Sequence, residues 1–183
     1  MCGIYASFND EKFEALRLVN KVRGVKNITK KTIFMNGVGY MIGHIQSPTS
    51  NSAHSHPATL NHCDSLLWHN GIVKEKQLEE HSYMDFGGWD THFILQIIDT
   101  YGFGALSNID GSFACVYYSN NELFIFRNEI APLYIDIDLN LSSLKSSDME
   151  LLPPNKVFYI NDDNELIVVA EFTTKNNPYK LEG

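Results

Sequence analysis

The chain opens Met1-Cys2-Gly3-Ile4. Removal of the initiator Met1 before a small second residue leaves Cys2 as the chain terminus, with two reactive groups on one residue. Its thiol is the best nucleophile among side chains, with a free pKa near ~8.5. Its α-amine, at roughly 7.7–8.0, is about half neutral near physiological pH and accepts the thiol proton. A terminal nucleophile of this kind needs no separate histidine, because its own amine is the base. The plain alternative is a chance Met-Cys start, with Cys2 a small apolar residue of a first strand. These four residues alone leave both readings open.

The totals exclude more than they assign. A chain of 183 residues with 44% apolar content suits one domain spanning 1–183, with a core of two or more layers. No apolar run reaches the ~18–20 residues of a membrane span, and no charged leader with an apolar region precedes the first strand. The three cysteines, Cys2, Cys63 and Cys115, form no disulfide framework, which fits a reducing, cytoplasmic compartment. Cys115, inside Phe113-Ala114-Cys115-Val116, reads as a core residue. A net charge of −8 argues against a nucleic-acid partner, and the basic cluster between Lys26 and Lys31 reads as a solvated turn. The histidines His54, His56, His62 and His69 lack metal-ligand spacing and read as loop residues near a pocket. No phosphate-binding or dinucleotide glycine motif occurs, so neither metal nor cofactor is expected.

Outward from the start, residues 2–8 read as a strand. Asp10 is a candidate cap for a helix with Phe13, Leu16 and Val19 on its buried face, ended by Arg23-Gly24. Asn36-Gly37 between residues 32–37 and 38–44 is a hairpin signal. Residues 46–62, rich in Ser, Thr, Pro, Asn and His, form a long polar loop. Residues 65–69 form a strand ended by Asn70-Gly71, and residues 73–81 are helical. The periodicity is strongest over residues 90–101, with Phe93, Ile97, Ile98 and Tyr101 on one helix face. Strands follow at 112–118, 122–126, 133–138, 156–160 and 165–169, with turns at Asn120-Asn121 and Asp162-Asp163-Asn164. Many antiparallel strands with a few helices predict an α+β layered fold.

Attack on an amide by a thiolate also needs fixed donors for the oxyanion, commonly a side-chain amide and a backbone N–H. Asn70-Gly71 supplies such a pair, or is a plain Asn-Gly turn. An amino-acid substrate needs a carboxylate for its α-ammonium; Asp90 supplies one, or is only a helix cap.

Met1-Cys2-Gly3-Ile4, Gly43-His44, Trp68-His69-Asn70-Gly71-Ile72-Val73 and Gly88-Trp89-Asp90-Thr91 together resemble, in order and approximate spacing, the class II glutamine amidotransferases. Arg23-Gly24, Ser52-Ala53-His54-Ser55-His56-Pro57, Asp110-Gly111-Ser112-Phe113-Ala114 and Phe126-Arg127 with Pro132-Leu133-Tyr134 are similar to further family segments, so the resemblance covers nearly the whole chain. It implies an N-terminal-nucleophile hydrolase with a four-layer αββα sandwich. It also implies that glutamine's carboxamide is converted through a γ-glutamyl thioester to glutamate and ammonia. Carried over, Cys2 is nucleophile and amine base, Asn70 and the Gly71 N–H form the oxyanion hole, Asp90 binds the substrate ammonium, and Gln46 and Thr49 join the substrate site.

Two departures stand out. His44-Ile45-Gln46 replaces the family's His-x-Arg, whose Arg pairs with the glutamine α-carboxylate; Gln makes no such bidentate charged contact. Arg127-Asn128 replaces Arg-Asp, and the turn to Pro132 is about two residues shorter. With no synthetase or transferase half in the 183 residues, the expectation is a freestanding glutaminase domain whose ammonia feeds a separate acceptor enzyme. The alternatives are a non-catalytic binding module, or a hydrolase of another γ-glutamyl or small amide substrate.

Overall fold

The hairpin at Asn36-Gly37 starts one of two sheets. In this computed structural model, which describes residues 2–24, 26–47, 54–61, 63–81 and 83–175, both turn residues have positive φ (50° and 78°), the left-handed conformation that a tight two-residue hairpin turn requires. The turn joins β2 (Lys26–Met35) to β3 (Val38–Gln46). The basic cluster therefore lies in the outermost strand of the sheet, not in a turn; lysines along an exposed edge oppose pairing with a further strand.

β3 pairs antiparallel on its other side with β1 (Gly3–Ser7), and three two-residue strands complete six: β8 (Tyr134–Ile135), β9 (Leu141–Ser142) and β10 (Glu150–Leu151). The expected strand at 133–138 is thus cut to two residues. The second sheet contains β4 (Ala58–Leu60), β5 (Cys63–Val73), β6 (Gly111–Ser119), β7 (Glu122–Arg127), β11 (Lys156–Ile160) and β12 (Leu166–Glu171), in the order β12-β11-β7-β6-β5-β4.

Strand alternation sorts the side chains into layers. Ile4, Ala6, Tyr40 and Ile42 of the first sheet meet Leu66, Trp68, Val116, Ile125 and Phe158 of the second in a central core. The opposite parity of the first sheet, Tyr5, Met41 and Ile45, packs under α1 (Asp10–Asn20) through Phe13 and Leu16. The opposite parity of the second, Leu67, Phe113, Cys115 and Phe126, packs under α3 (Asp90–Tyr101) through Phe93, Ile94 and Ile97. The result is the expected αββα sandwich. Full burial of each large aliphatic or aromatic residue contributes on the order of 1.5–3 kcal/mol.

The helix ends differ from expectation. Asn9, not Asp10, caps α1 by accepting from the Lys12 N–H (2.9 Å). Val19 and Tyr101, in the last turns, are 37% and 62% exposed; the buried stripe of α1 continues through Asn20 instead, and that of α3 ends at Ile98. Residues 73–81 contain only the short α2 (Glu75–Glu80). Asn70-Gly71 does not end a strand: β5 runs through it, with Asn70 opposite Ala114 and Gly71 opposite Phe113.

The Asn128 departure is built into the packing. Its side-chain oxygen accepts from the N–H groups of Phe113, Ile130 and Ala131 (each 3.2 Å), and its amide donates to the Gly111 carbonyl (2.8 Å). A carboxylate could make the three acceptor bonds but not the fourth. Arg127 donates to the carbonyls of Leu152, Asn128 and Ala131, closing the shortened turn. Among the described residues no helix is long and apolar enough to cross a membrane.

Candidate active site

Strand parity carries the candidate residues to one place. Cys2 precedes β1 in phase with Ile4 and Ala6, Gln46 ends β3 in phase with Tyr40 and Ile42, and Asn70 lies in β5 in phase with Trp68. All three phases face the gap between the sheets. At this end the gap opens into a cavity of about 770 Å³ lined by Cys2, Gln46, Asn70, Gly71 and Asp90. Thr49 lies outside the described residues.

Cys2 is held from both sides. Its Sγ lies 3.9 Å from the Ser47 carbonyl oxygen. Arg23, which follows α1, donates to the Cys2 carbonyl (3.3 Å) and to the Ser143 carbonyl (2.9 Å). Burial pushes the thiol pKa up, and the Asp90 charge acts in the same direction against the opposing pull of the Ser47 contact and Arg23. A thiol held up in this way is poorly ionised at neutral pH and needs a base to react.

Asn70 is 4% exposed, and its side-chain amide has no hydrogen bond among the described residues. Gly71 has φ +154°, and a Cβ there would lie 1.9 Å from the Ser112 carbonyl oxygen. Only glycine fits this close approach between β5 and β6. Asp90 occupies the first turn of α3, one residue beyond its cap Trp89. It is not the cap itself; its carboxylate accepts from the N–H groups of Thr91 (2.8 Å) and Val73 (3.3 Å), which fix it at the cavity wall.

Behind these residues lies a shelf of buried histidines, each from a separate motif, whose mutual contacts no single motif announces. His44 stacks on His56 with ring centroids 3.6 Å apart. His44 Nε2 donates to the His69 carbonyl (3.1 Å), and Thr91 Oγ1 lies 3.1 Å from His56 Nε2 and 3.2 Å from His69 Nδ1. His69 Nε2 lies 3.4 Å from the Ser112 carbonyl. One proton arrangement satisfies all of these: each imidazole carries its proton on Nε2, and the Thr91 hydroxyl accepts from His56 while donating to His69. Burial favours these neutral forms, holding His44 down at about 3 and lowering His56 and His69 in the same direction, against the Asp90 charge in the case of His69. His69 is therefore a buried strand residue, not a loop residue. His56 keeps its place in a loop but is buried there, and both line the cavity. His62 lies outside the described residues. His54 stacks on Trp89 at 4.9 Å. The signal for the shelf was the Thr91 of Gly88-Trp89-Asp90-Thr91, a hydroxyl able to bridge two rings. Arg23, Glu75 and Glu79 also line the cavity; the i,i+4 spacing of the two glutamates places them on one helix face, but nothing in the sequence aims that face at the site.

An αββα sandwich with this cavity at one end of its paired sheets defines the fold class. Solved structures share the fold, two of them as follows. Glutamine phosphoribosylpyrophosphate amidotransferase from B. subtilis, complexed with ADP and GMP, superposes with a TM-score of 0.69 at 15% identity, over 96% of this chain and 50% of that one. A structure described as the allosteric regulatory enzyme of purine biosynthesis superposes with a TM-score of 0.54 at 18% identity, over 95% and 43%. The chain thus spans about half the length of either structure. No family model and no curated protein sequence matches it.

Proposed function

We propose that this chain is a class II glutamine amidotransferase domain, acting as an amidohydrolase on the side-chain amide of a glutamine substrate. The supporting observation is the convergence of Cys2, Asn70, Gly71 and Asp90, from the chain start, β5 and α3, on one cavity. In this reading Met1 is removed, and the free Cys2 amine takes the thiol proton as sulfur attacks the carboxamide carbon. The Asn70 amide and the Gly71 N–H meet the oxyanion. The C–N bond breaks, the amine returns its proton to the departing ammonia, and a γ-glutamyl thioester remains. Water, deprotonated by the same amine, then cleaves the thioester, releasing the glutamyl carboxylate and restoring the thiol. Asp90 pairs with the substrate α-ammonium, while Gln46 and Thr49 contact the remainder of the substrate. No cofactor enters the steps.

In this reading the free Cys2 amine supplies the base that a thiol held up by burial needs. The shared fold with an amidotransferase and the half-length match support a domain whose ammonia is used by a synthetase or transferase unit. Three free cysteines are consistent with a cytoplasmic setting. Gln46 favours one second reading, a binding module without turnover. Asn70→Ala decides between them when ammonia release is measured in single turnovers. Loss of an oxyanion donor lowers the rate by roughly 10²–10³; a rate within threefold of the unsubstituted protein, or no release from either, removes the catalytic assignment.

A further inference from the structure

The charges around the cavity do not match a free amino acid. Its wall carries three carboxylates, Asp90, Glu75 and Glu79, against one side-chain cation among the described lining residues, Arg23. The Arg23 guanidinium donates to the carbonyls of Cys2 and Ser143, which hold it on the Cys2 side of the cavity, and its Nε has no partner among the described residues. His56 and His69 stay neutral through burial, so they add no positive charge. A second anion from the substrate would meet three carboxylates against a single side-chain cation among the described lining residues, so like charges outnumber the counter-charge once water is displaced.

Gln46 supplies a neutral alternative. It is 4% exposed, and its side-chain oxygen accepts from the Asn27 amide at 3.1 Å. That bond leaves its NH₂ group without a partner among the described residues, as a donor suited to an uncharged carbonyl. The cavity volume also lies in the range that encloses molecules of drug size, leaving room for substrate beyond a single amino acid.

From this charge pattern we infer that the substrate is a glutamine with a free α-amine and an α-carboxyl group masked as an amide, as at the amino end of a glutaminyl peptide. The inference rests on the Cys2 assignment above and narrows its substrate class. The α-ammonium sits against Asp90 within the acidic wall, and the masked carbonyl accepts from the Gln46 amide. The bond changes are those already given: the C–N bond of the glutamine carboxamide breaks, ammonia leaves, and the peptide departs with a glutamyl residue in place of glutaminyl.

The test compares free L-glutamine with the dipeptide Gln-Gly, following glutamate and Glu-Gly by mass spectrometry. Gln-Gly is expected to be turned over with kcat/KM at least tenfold higher. Gln46→Arg, which introduces a cation, is expected to reverse that preference by tenfold or more. Calorimetric binding to Cys2→Ala gives a second readout that does not depend on the Arg variant folding: the dipeptide binds at least tenfold more tightly than the amino acid. Equal or better use of free glutamine overturns the inference, as does turnover of neither compound. Labelling of the protein by a glutamine-analogue diazo-ketone then separates the two levels. A single adduct on Cys2 leaves the nucleophile assignment standing while the substrate class falls; no adduct removes both.

Discussion

Gly71→Ala puts the floor of the site under direct stress. The added methyl carbon would lie 1.9 Å from the Ser112 carbonyl oxygen, 2.6 Å from the Ser112 carbonyl carbon and 2.7 Å from His69 Nε2. None of these is a free side-chain end: Ser112 is pinned by the β5–β6 ladder, and His69 is held by Thr91. Relief requires the strands to separate by more than an ångström, and overpacking of a tight core costs about 1–3 kcal/mol. The φ of +154° lies in a region almost closed to residues with a Cβ, which adds on the order of 1–3 kcal/mol. The expected loss is therefore about 2–6 kcal/mol in urea unfolding, a large share of a typical domain's stability. Gly111→Ala is the control. Its Cβ would meet the Ile72 carbonyl oxygen at 2.3 Å in the same pair of strands, but Gly111 does not line the cavity. Both variants should lose stability; under conditions where each remains folded, only Gly71→Ala should lose thioester formation by more than tenfold. A Gly71→Ala protein within 0.5 kcal/mol of the original, a margin that surface substitutions ordinarily keep, would refute the packing argument. Equal activity losses in the two variants would refute the special role of residue 71.

Further consequences follow from the shelf and the turn. His44 stays neutral in the fold down to about 3, whereas an unfolded histidine takes up a proton below about 6.5. Stability is therefore complete above roughly 6.5 and falls as pH drops through that window, by roughly 2 kcal/mol at about pH 5 from His44 alone. His56 and His69 act in the same direction. Urea titrations with the same midpoint at about pH 7 and about pH 5 would contradict this. Thr91→Val leaves His56 Nε2 and His69 Nδ1 without their shared partner and should cost about 2–4 kcal/mol in the same assay; a change under 1 kcal/mol would deny the bridge. Arg127→Met strands the Leu152, Asn128 and Ala131 carbonyls and should lower stability by about 3 kcal/mol or more, read as a shift in melting temperature.

Much of the fold was legible because one principle governed each stretch. The Asn36-Gly37 hairpin and the face formed by Phe93, Ile97, Ile98 and Tyr101 were set by local turn chemistry and helical period; the hairpin stands as read, and the face stands except for the exposed Tyr101. Asn70-Gly71 carries the same turn signal and misled, because tertiary pairing with β6 holds that glycine extended. Residues 133–138 were read as one strand, but Asp136 accepts from the N–H groups of Asp138 and Asn140, and Leu139 adopts φ 59°, turning the chain after Ile135. The cavity-lining residues were legible as a set of separate motifs, since Cys2, Gln46, Asn70 and Asp90 each stood in one. The support behind them was not. The shelf joins residues 44, 56, 69 and 91 by hydrogen bonds and stacking across three elements and a loop, and no local pattern encodes such contacts.

The account turns on a free Cys2, so the most direct measurement is the intact mass of the purified protein before and after treatment with a glutamine-analogue diazo-ketone. The account predicts loss of Met1 and one adduct, mapped to Cys2 and absent from Cys63 and Cys115. Retained Met1 in a protein that releases ammonia, or an adduct on another cysteine with Cys2 untouched, would contradict it.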